Sequence, residues 1–291
     1  MSGYGCKIGD VFVGCISYAD DLILLCASLH GIKCMIQICE KFAISHFIKF
    51  NGNKSKLMIY SRNSNEPFIE VKVFGEIVEV VKDMTYLGFK MSTKTEDDFS
   101  LDYVIKDFNT KFNIFMGDFN NIESFLKNKL FSVYCTSFYG SHMCNLHKVE
   151  QVNIQWRKAI RRIWGIPYRT HSALLPHICK LLPPSVLFMN RFTNFFMNNI
   201  CSDNTILRFV FRSALTTDTF LGNNFRYILY KCGYNRNIFE NYVIDAKNVC
   251  DKIINMWNKS HKIEDIKVGC HIHELVQRRD SLEPWILTKC F

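Results

Sequence analysis

The stretch that most limits what this chain can fold into is residues 11–27, VFVGCISYADDLILLCA. Two apolar runs rich in β-branched residues, 11–17 and 22–27, flank the pair Asp20 and Asp21, with Tyr18 and Ala19 just ahead. Runs of that length on either side of a compact turn predict a buried β-hairpin. Burial would carry two adjacent carboxylates to the edge of a core, where ionised groups are costly unless they hold a cation. A turn built only to meet solvent more usually has Gly or Asn at its centre. An acidic turn without chemistry is the plain alternative.

Beyond Ala27 the apolar period changes. Ser28 reads as an N-cap, and Ile32, Met35, Ile36, Cys39, Phe42 and Ala43 fall at helical spacing, which predicts a helix over 30–46 packed back across the sheet. Asn51-Gly52-Asn53 is a turn signal, followed by a strand over 57–60. Residues 68–81 alternate around Gly75-Glu76 and predict a second hairpin, after which comes the step Tyr86-Leu87-Gly88. From Asp97 the pattern is helical: Leu101, Val104, Ile105, Phe108, Phe112, Phe115 and Met116 form one stripe, and 122–139 give a second helix ending near Gly140. Residues 149–164 are the clearest amphipathic segment, with Trp156, Ala159, Ile160, Ile163 and Trp164 on one arc. Arg157, Lys158, Arg161 and Arg162 take the other arc with no acidic partner, between Lys148 and Arg169. Such a face suits phosphate, and a solvated helix surface is the alternative. Further helices are expected over 186–200 and 238–257, their aromatic stripes serving as core.

Tyr18-Ala19-Asp20-Asp21 inside an apolar hairpin resembles the catalytic palm motif of reverse transcriptases. The order of the later pieces resembles the non-LTR (LINE-type) retrotransposon branch, over about residues 3–196. Asn51, Lys54, Ser55 and Lys56 stand where that family carries an Asn, two spacers, Lys-Thr or Lys-Ser and another Lys. Tyr86, Leu87 and Gly88 match its primer-grip step, and residues 156–184, WRKAIRRIWGIPYRTHSALLPHICKLLPP, resemble a block after the thumb. The resemblance implies an α+β fold: a partial palm over 1–95, with an antiparallel hairpin sheet and a packed helix, a helical thumb over 96–165 and a helical extension over 166–291. It makes Asp20 and Asp21 ligands of Mg²⁺ or Mn²⁺ and places Tyr18 with the nucleic-acid contacts. Lys54 would neutralise an incoming triphosphate or protonate the departing pyrophosphate, although a solvated turn lysine is an equal reading of the residues alone.

Nucleotide addition on a palm is two-metal phosphoryl transfer, with magnesium favoured by hard oxygen ligands and substrate phosphates. Neighbouring strand residues point to opposite sides, and in the family a separate upstream strand supplies the other essential aspartate. That strand, the fingers and the nucleotide-selecting segment precede the point in the family where this chain begins. Asp10 lies at the far end of its strand, roughly 30 Å from Asp20 at about 3.3 Å per residue, and cannot replace it. The expectation is a truncated RNA-directed DNA polymerase, not competent alone, that meets an RNA template and a DNA primer and uses deoxynucleoside triphosphates only if completed by an upstream segment. The alternative is a non-catalytic nucleic-acid-binding remnant using the Arg157–Arg162 face. The polymerase ancestry expects Asp20 and Asp21 at a tight bend between strands related to the Lys54 and Tyr86 segments.

Net charge of +9 and a pI near 8.9 suit a polyanionic partner. Charged residues interrupt every apolar run short of a membrane span, and the first ten residues lack a signal-peptide stretch, so an intracellular protein, cytoplasmic or nuclear, is expected. Thirteen scattered cysteines with no Cys-x-x-Cys pair read as thiols. Two loose groups, His171/His177/Cys179 and Cys270/His271/His273, lack the paired spacing of a structural zinc site.

Overall fold

Each antiparallel strand pair described in the amino-terminal part is folded back at a residue with positive φ. Lys7–Ile8 (β1) and Val11–Phe12 (β2) pair about Gly9 at φ 57°. Cys15–Tyr18 (β3) and Asp21–Leu24 (β4) pair antiparallel about Ala19 at φ 49°. Cys6 N–H donates to Leu25 O and Val13 N–H to Cys6 O, each at 2.9 Å, which laces the two hairpins together. Gly14 is required where they meet, because a Cβ there would lie 2.8 Å from Gly5 Cα and 2.7 Å from the Phe12 ring. The computed structural model describes residues 3–60, 69–93, 101–233, 249 and 251–256.

Ser28 caps the next element as its sequence predicts: its Oγ accepts from Gly31 N–H at 3.1 Å and starts the helix Leu29–Ser45 (α1). Lys56–Leu57 (β5) follows, then Lys72–Val73 (β6) and Glu76–Ile77 (β7), a hairpin turned by Phe74 at φ 50° and Gly75 at φ 80°. Glu79–Val80 (β8) pairs in parallel with β5, and Asp83–Tyr86 (β9) with Phe89–Ser92 (β10) about Leu87 and Gly88. The small core here is Val71, Val73 and Val78, against which Ile36, Phe50, Leu57, Ile69 and Phe74 pack.

Three expectations need correction in this unit. The β3–β4 hairpin is exposed rather than buried: Ile16 is 47% and Tyr18 64% accessible. An apolar strand is buried on both faces only when layers cover both, and α1 makes its main strand contact with β6. Phe42, expected on the packed face of α1, is 55% exposed, and only Gly31, Met35 and Ala43 are buried on that helix. The strand expected over 57–60 is the two-residue β5, and position 68 lies outside the described residues.

The chain divides into two compact units, Met1–Glu96 and Asp97–Phe291, so residue 165 falls inside the second. That unit is helical: Leu101–Asp118 (α2), Ser124–Tyr134 (α3), Glu150–Trp164 (α4), Leu175–Cys179 (α5), Pro184–Ile200 (α6), Thr205–Thr216 (α7) and Phe220–Lys231 (α8). The whole is an α+β protein. Of the α2 stripe, every member except the half-buried Ile105 is buried. The ring of Phe131 meets Phe108 at 6.0 Å and Phe112 at 5.9 Å, both edge-on, while Phe196 stacks on Phe225 at 4.3 Å. The unit is organised on α6, which packs against α4, α7 and α8.

Helix α3 stops five residues before the expected Tyr139. The Arg191 guanidinium takes up the carbonyls of Thr136, Ser137 and Phe138 together with Ser141 Oγ, so these peptides need no helical partner. Of the helix expected over 238–257, Val249 and residues 251–256 are helical, with Val249 and Ile253 buried, and the rest lies outside the described residues. No single helix among the described residues is long and apolar enough to cross a membrane. The pair Ser172–Cys179 and Pro184–Ile200 passes that test only together, bent by 68°, and much of α6 is buried in the helical unit.

Candidate functional site

Tyr18 and Asp21 face each other as the last cross-strand pair of β3–β4, leaving Ala19 and Asp20 as a two-residue turn. Positive φ falls on Ala19 and not on Asp20, the φ pattern of a II′ turn, in which glycine is the usual first residue. A Cβ in that region costs about 1–2 kcal/mol. Both carboxylates are exposed, and among the described residues neither makes an ion pair or a hydrogen bond. Adjacent in sequence, they offer two oxygen-donor groups of the chemical kind that Mg²⁺ takes, an ion that keeps several waters and accepts one or two carboxylates plus substrate phosphates.

Lys54 sits in a turn knotted by Asn51, whose Oδ1 accepts from Lys54 N–H at 3.1 Å and whose carbonyl accepts from Ser55 Oγ at 2.9 Å. Asn53 N–H donates to Glu76 Oε2 at 3.2 Å, which ties this turn to β7. The Lys54 ammonium is left free among the described residues, whereas Lys56 pairs with Glu79. Tyr86 ends β9 opposite Phe89, its hydroxyl buried without a hydrogen-bond partner, and Leu87 and Gly88 are the turn itself at φ 47° and 80°.

These segments share one compact unit but not one sheet. Asp21 belongs to β3–β4, the Lys54 turn leads into β5–β8, and Tyr86 belongs to β9–β10, three separate strand pairs. The requirement on the acidic pair is met in one half only: Asp20 and Asp21 lie at a tight bend between strands, but those strands pair with neither the Lys54 nor the Tyr86 segment among the described residues.

On α4 the expected arcs are found, with Trp156, Ala159, Ile160, Ile163 and Trp164 buried, but the basic face differs from expectation. Arg157 does have an acidic partner, Glu150, two turns earlier on the same face. That spacing was legible, since residues seven apart lie on one side of a helix. Arg161 is a structural residue: its Nη2 donates to Thr170 O at 2.9 Å and Ser172 Oγ at 3.1 Å, with its guanidinium 5.8 Å from the Tyr168 ring. Burial, with the neighbouring Arg157 charge, lowers its pKa from the ordinary value. Arg162 lies 5.7 Å from the Phe112 ring and stays exposed, as does Lys158. Two of the four cations therefore remain open to a phosphate.

The described residues contain no group of three or more His, Cys, Asp or Glu arranged for a metal. His171 instead caps a short 3₁₀ turn, its Nδ1 accepting from Ala173 N–H at 3.3 Å. Burial pushes the Cys179 thiol up to about 12, keeping it protonated. Cys270, His271 and His273 lie outside the described residues. No protein-family model, curated protein or solved structure matches this chain.

Proposed function

We propose that this chain is part of an RNA-directed DNA polymerase of the non-LTR retrotransposon class, with a palm segment before residue 96 and a helical thumb after it, a reading that rests on the acidic turn and not on a sheet shared with the Lys54 and Tyr86 segments. The observation that carries this reading is the Tyr18-Ala19-Asp20-Asp21 turn, which holds a non-glycine residue at φ 49° and leaves two adjacent carboxylates free. Backbone held in a sparsely populated region is a pointer to function. A bound Mg²⁺ would supply Lewis-acid activation of a primer hydroxyl and charge neutralisation on a triphosphate. Asp20 and Asp21 would hold that ion, the free Lys54 ammonium would offset phosphate charge, and the Tyr86-Leu87-Gly88 turn would meet the primer. Two-metal chemistry draws carboxylates from more than one strand, so transfer is expected only when another segment adds an aspartate.

Mn²⁺ binding, followed by water-proton relaxation, tests the hairpin directly. The Asp20→Asn, Asp21→Asn double variant is expected to abolish it, and unchanged binding would remove the hairpin as the cation site. In primer extension with Mg²⁺ or Mn²⁺ the chain by itself should add no nucleotide. Extension that disappears on Asp20→Ala would show instead that the two carboxylates suffice.

A second reading, a nucleic-acid-binding remnant without chemistry, is favoured by the exposure of Lys158 and Arg162 on α4. Affinity for a primer–template should then fall steeply with salt, and Lys158→Gln with Arg162→Gln should reduce the logarithmic salt slope by about two. A salt-independent affinity excludes this face as the contact.

A further inference from the structure

Away from the acidic hairpin, the first turns of α1 gather a second set of reactive side chains. His30 and Cys34 stand four residues apart on one helix face, with His30 Nε2 3.5 Å from Cys34 Sγ. The Tyr4 ring meets His30 edge-on at 5.8 Å, and its phenol is near enough to the Cys34 thiol to be held above its ordinary pKa by it. Gly31 lets the start of α1 close on the preceding turn, since a Cβ there would lie 2.4 Å from Cys26 Sγ and 3.0 Å from Ser28 Oγ. Cys34 is half-buried and His30 exposed, so a small reagent can reach the sulfur.

We propose that Cys34, His30 and Tyr4 form a reactive-thiol site that takes soft electrophiles, with Cys34 as the nucleophile and His30 as its base. A thiol with an imidazole in reach and a third group bearing on the pair is the arrangement that activates sulfur. With iodoacetamide, the Cys34 sulfur–carbon bond forms while the carbon–iodine bond breaks. Iodide leaves with the electron pair, and the thiol proton passes to His30 Nε2. The Tyr4 hydroxyl keeps its proton, held above its ordinary range chiefly by the neighbouring Cys34 thiol, and so can donate to the thiolate as it forms. This site lies outside the proposed polymerase machinery, and its test does not depend on that reading.

Timed iodoacetamide labelling of the full chain, read by peptide mass spectrometry, tests it. Tryptic cleavage after Lys33 and Lys41 puts Cys34 and Cys39 on one peptide, and fragment spectra separate them. Cys34 should label about tenfold faster than Cys201, an exposed thiol on the same chain. His30→Gln keeps a polar side chain without the base and should bring Cys34 down to the Cys201 rate, with Cys201 itself unchanged. Tyr4→Phe, which keeps the ring, should slow Cys34 about two- to threefold. Equal rates at Cys34 and Cys201 in the unaltered chain, or an unchanged Cys34 rate in a folded His30→Gln variant, would overturn the proposal.

Discussion

Ala19 holds a backbone conformation that glycine would adopt without steric cost, and the cost sits beside the two carboxylates that carry the functional reading. Ala19→Gly is expected to stabilise the chain by about 1 kcal/mol in urea unfolding. No gain would mean that the turn relaxes around the alanine. Asn224 is the buried counterpart in the helical unit, its Nδ2 donating to Cys144 O at 2.9 Å and its Oδ1 accepting from Leu146 N–H at 3.1 Å. Asn224→Ala strands both backbone groups away from water and should cost about 2–4 kcal/mol, measured the same way. The tight turn at Asp20 and Asp21 was legible from their place between apolar runs. Asn224 was not, because a polar residue on an otherwise amphipathic helix looks the same whether water or another backbone satisfies it.

At the scale of elements, a capped start was easier to read than a partner: Ser28 begins α1 as its sequence predicts. Asn204, whose Oδ1 accepts from Ile206 N–H at 3.0 Å and Leu207 N–H at 3.2 Å, begins α7, a cap that the structure adds. Asn204→Ala should cost about 1 kcal/mol and speed hydrogen exchange in the first turn of α7. Helices α7 and α8 approach so closely that a Cβ on Gly222 would lie 2.0 Å from Ala214 O and 2.9 Å from Thr217 O. Gly222→Ala should therefore cost about 1–3 kcal/mol, and a neutral effect would mean that the two helices can part. Capping is local, so a few consecutive residues encode it. The end of α3 is not local: Arg191, more than fifty positions later, gathers the carbonyls that would have continued it. The exposure of β3–β4 is likewise a property of what fails to cover it, which its own residues do not contain.

Across the whole chain, the helical unit should respond to acid through His142. Burial, and then the nearby Arg191 charge, lower its pKa below the ordinary value of 6.5. The unfolded chain therefore binds the proton first. Stability from this group is complete above about pH 6.5 and is lost as pH falls from there through the lowered folded value. The melting temperature should drop between pH 7 and pH 5, and His142→Gln should flatten that drop. An unchanged slope would assign the acid loss to other groups. The division into a small strand-rich unit and a large helical one follows from hydrophobic periodicity, which passes from short alternating runs to long 3.6-residue stripes near residue 97. Residue order alone determined where α1 starts and how it is capped, the tight acidic turn, and the helical spacing of the α2 and α4 apolar stripes, because each depends on neighbours within a few positions. Only the tertiary structure decided that the acidic hairpin lies open, that its strands, β5 and β9 stay in separate pairs, and that the 170–172 loop engages Arg161. Those outcomes turn on which surfaces meet, and burial and charge pairing are settled by contacts between distant segments rather than by the pattern within one.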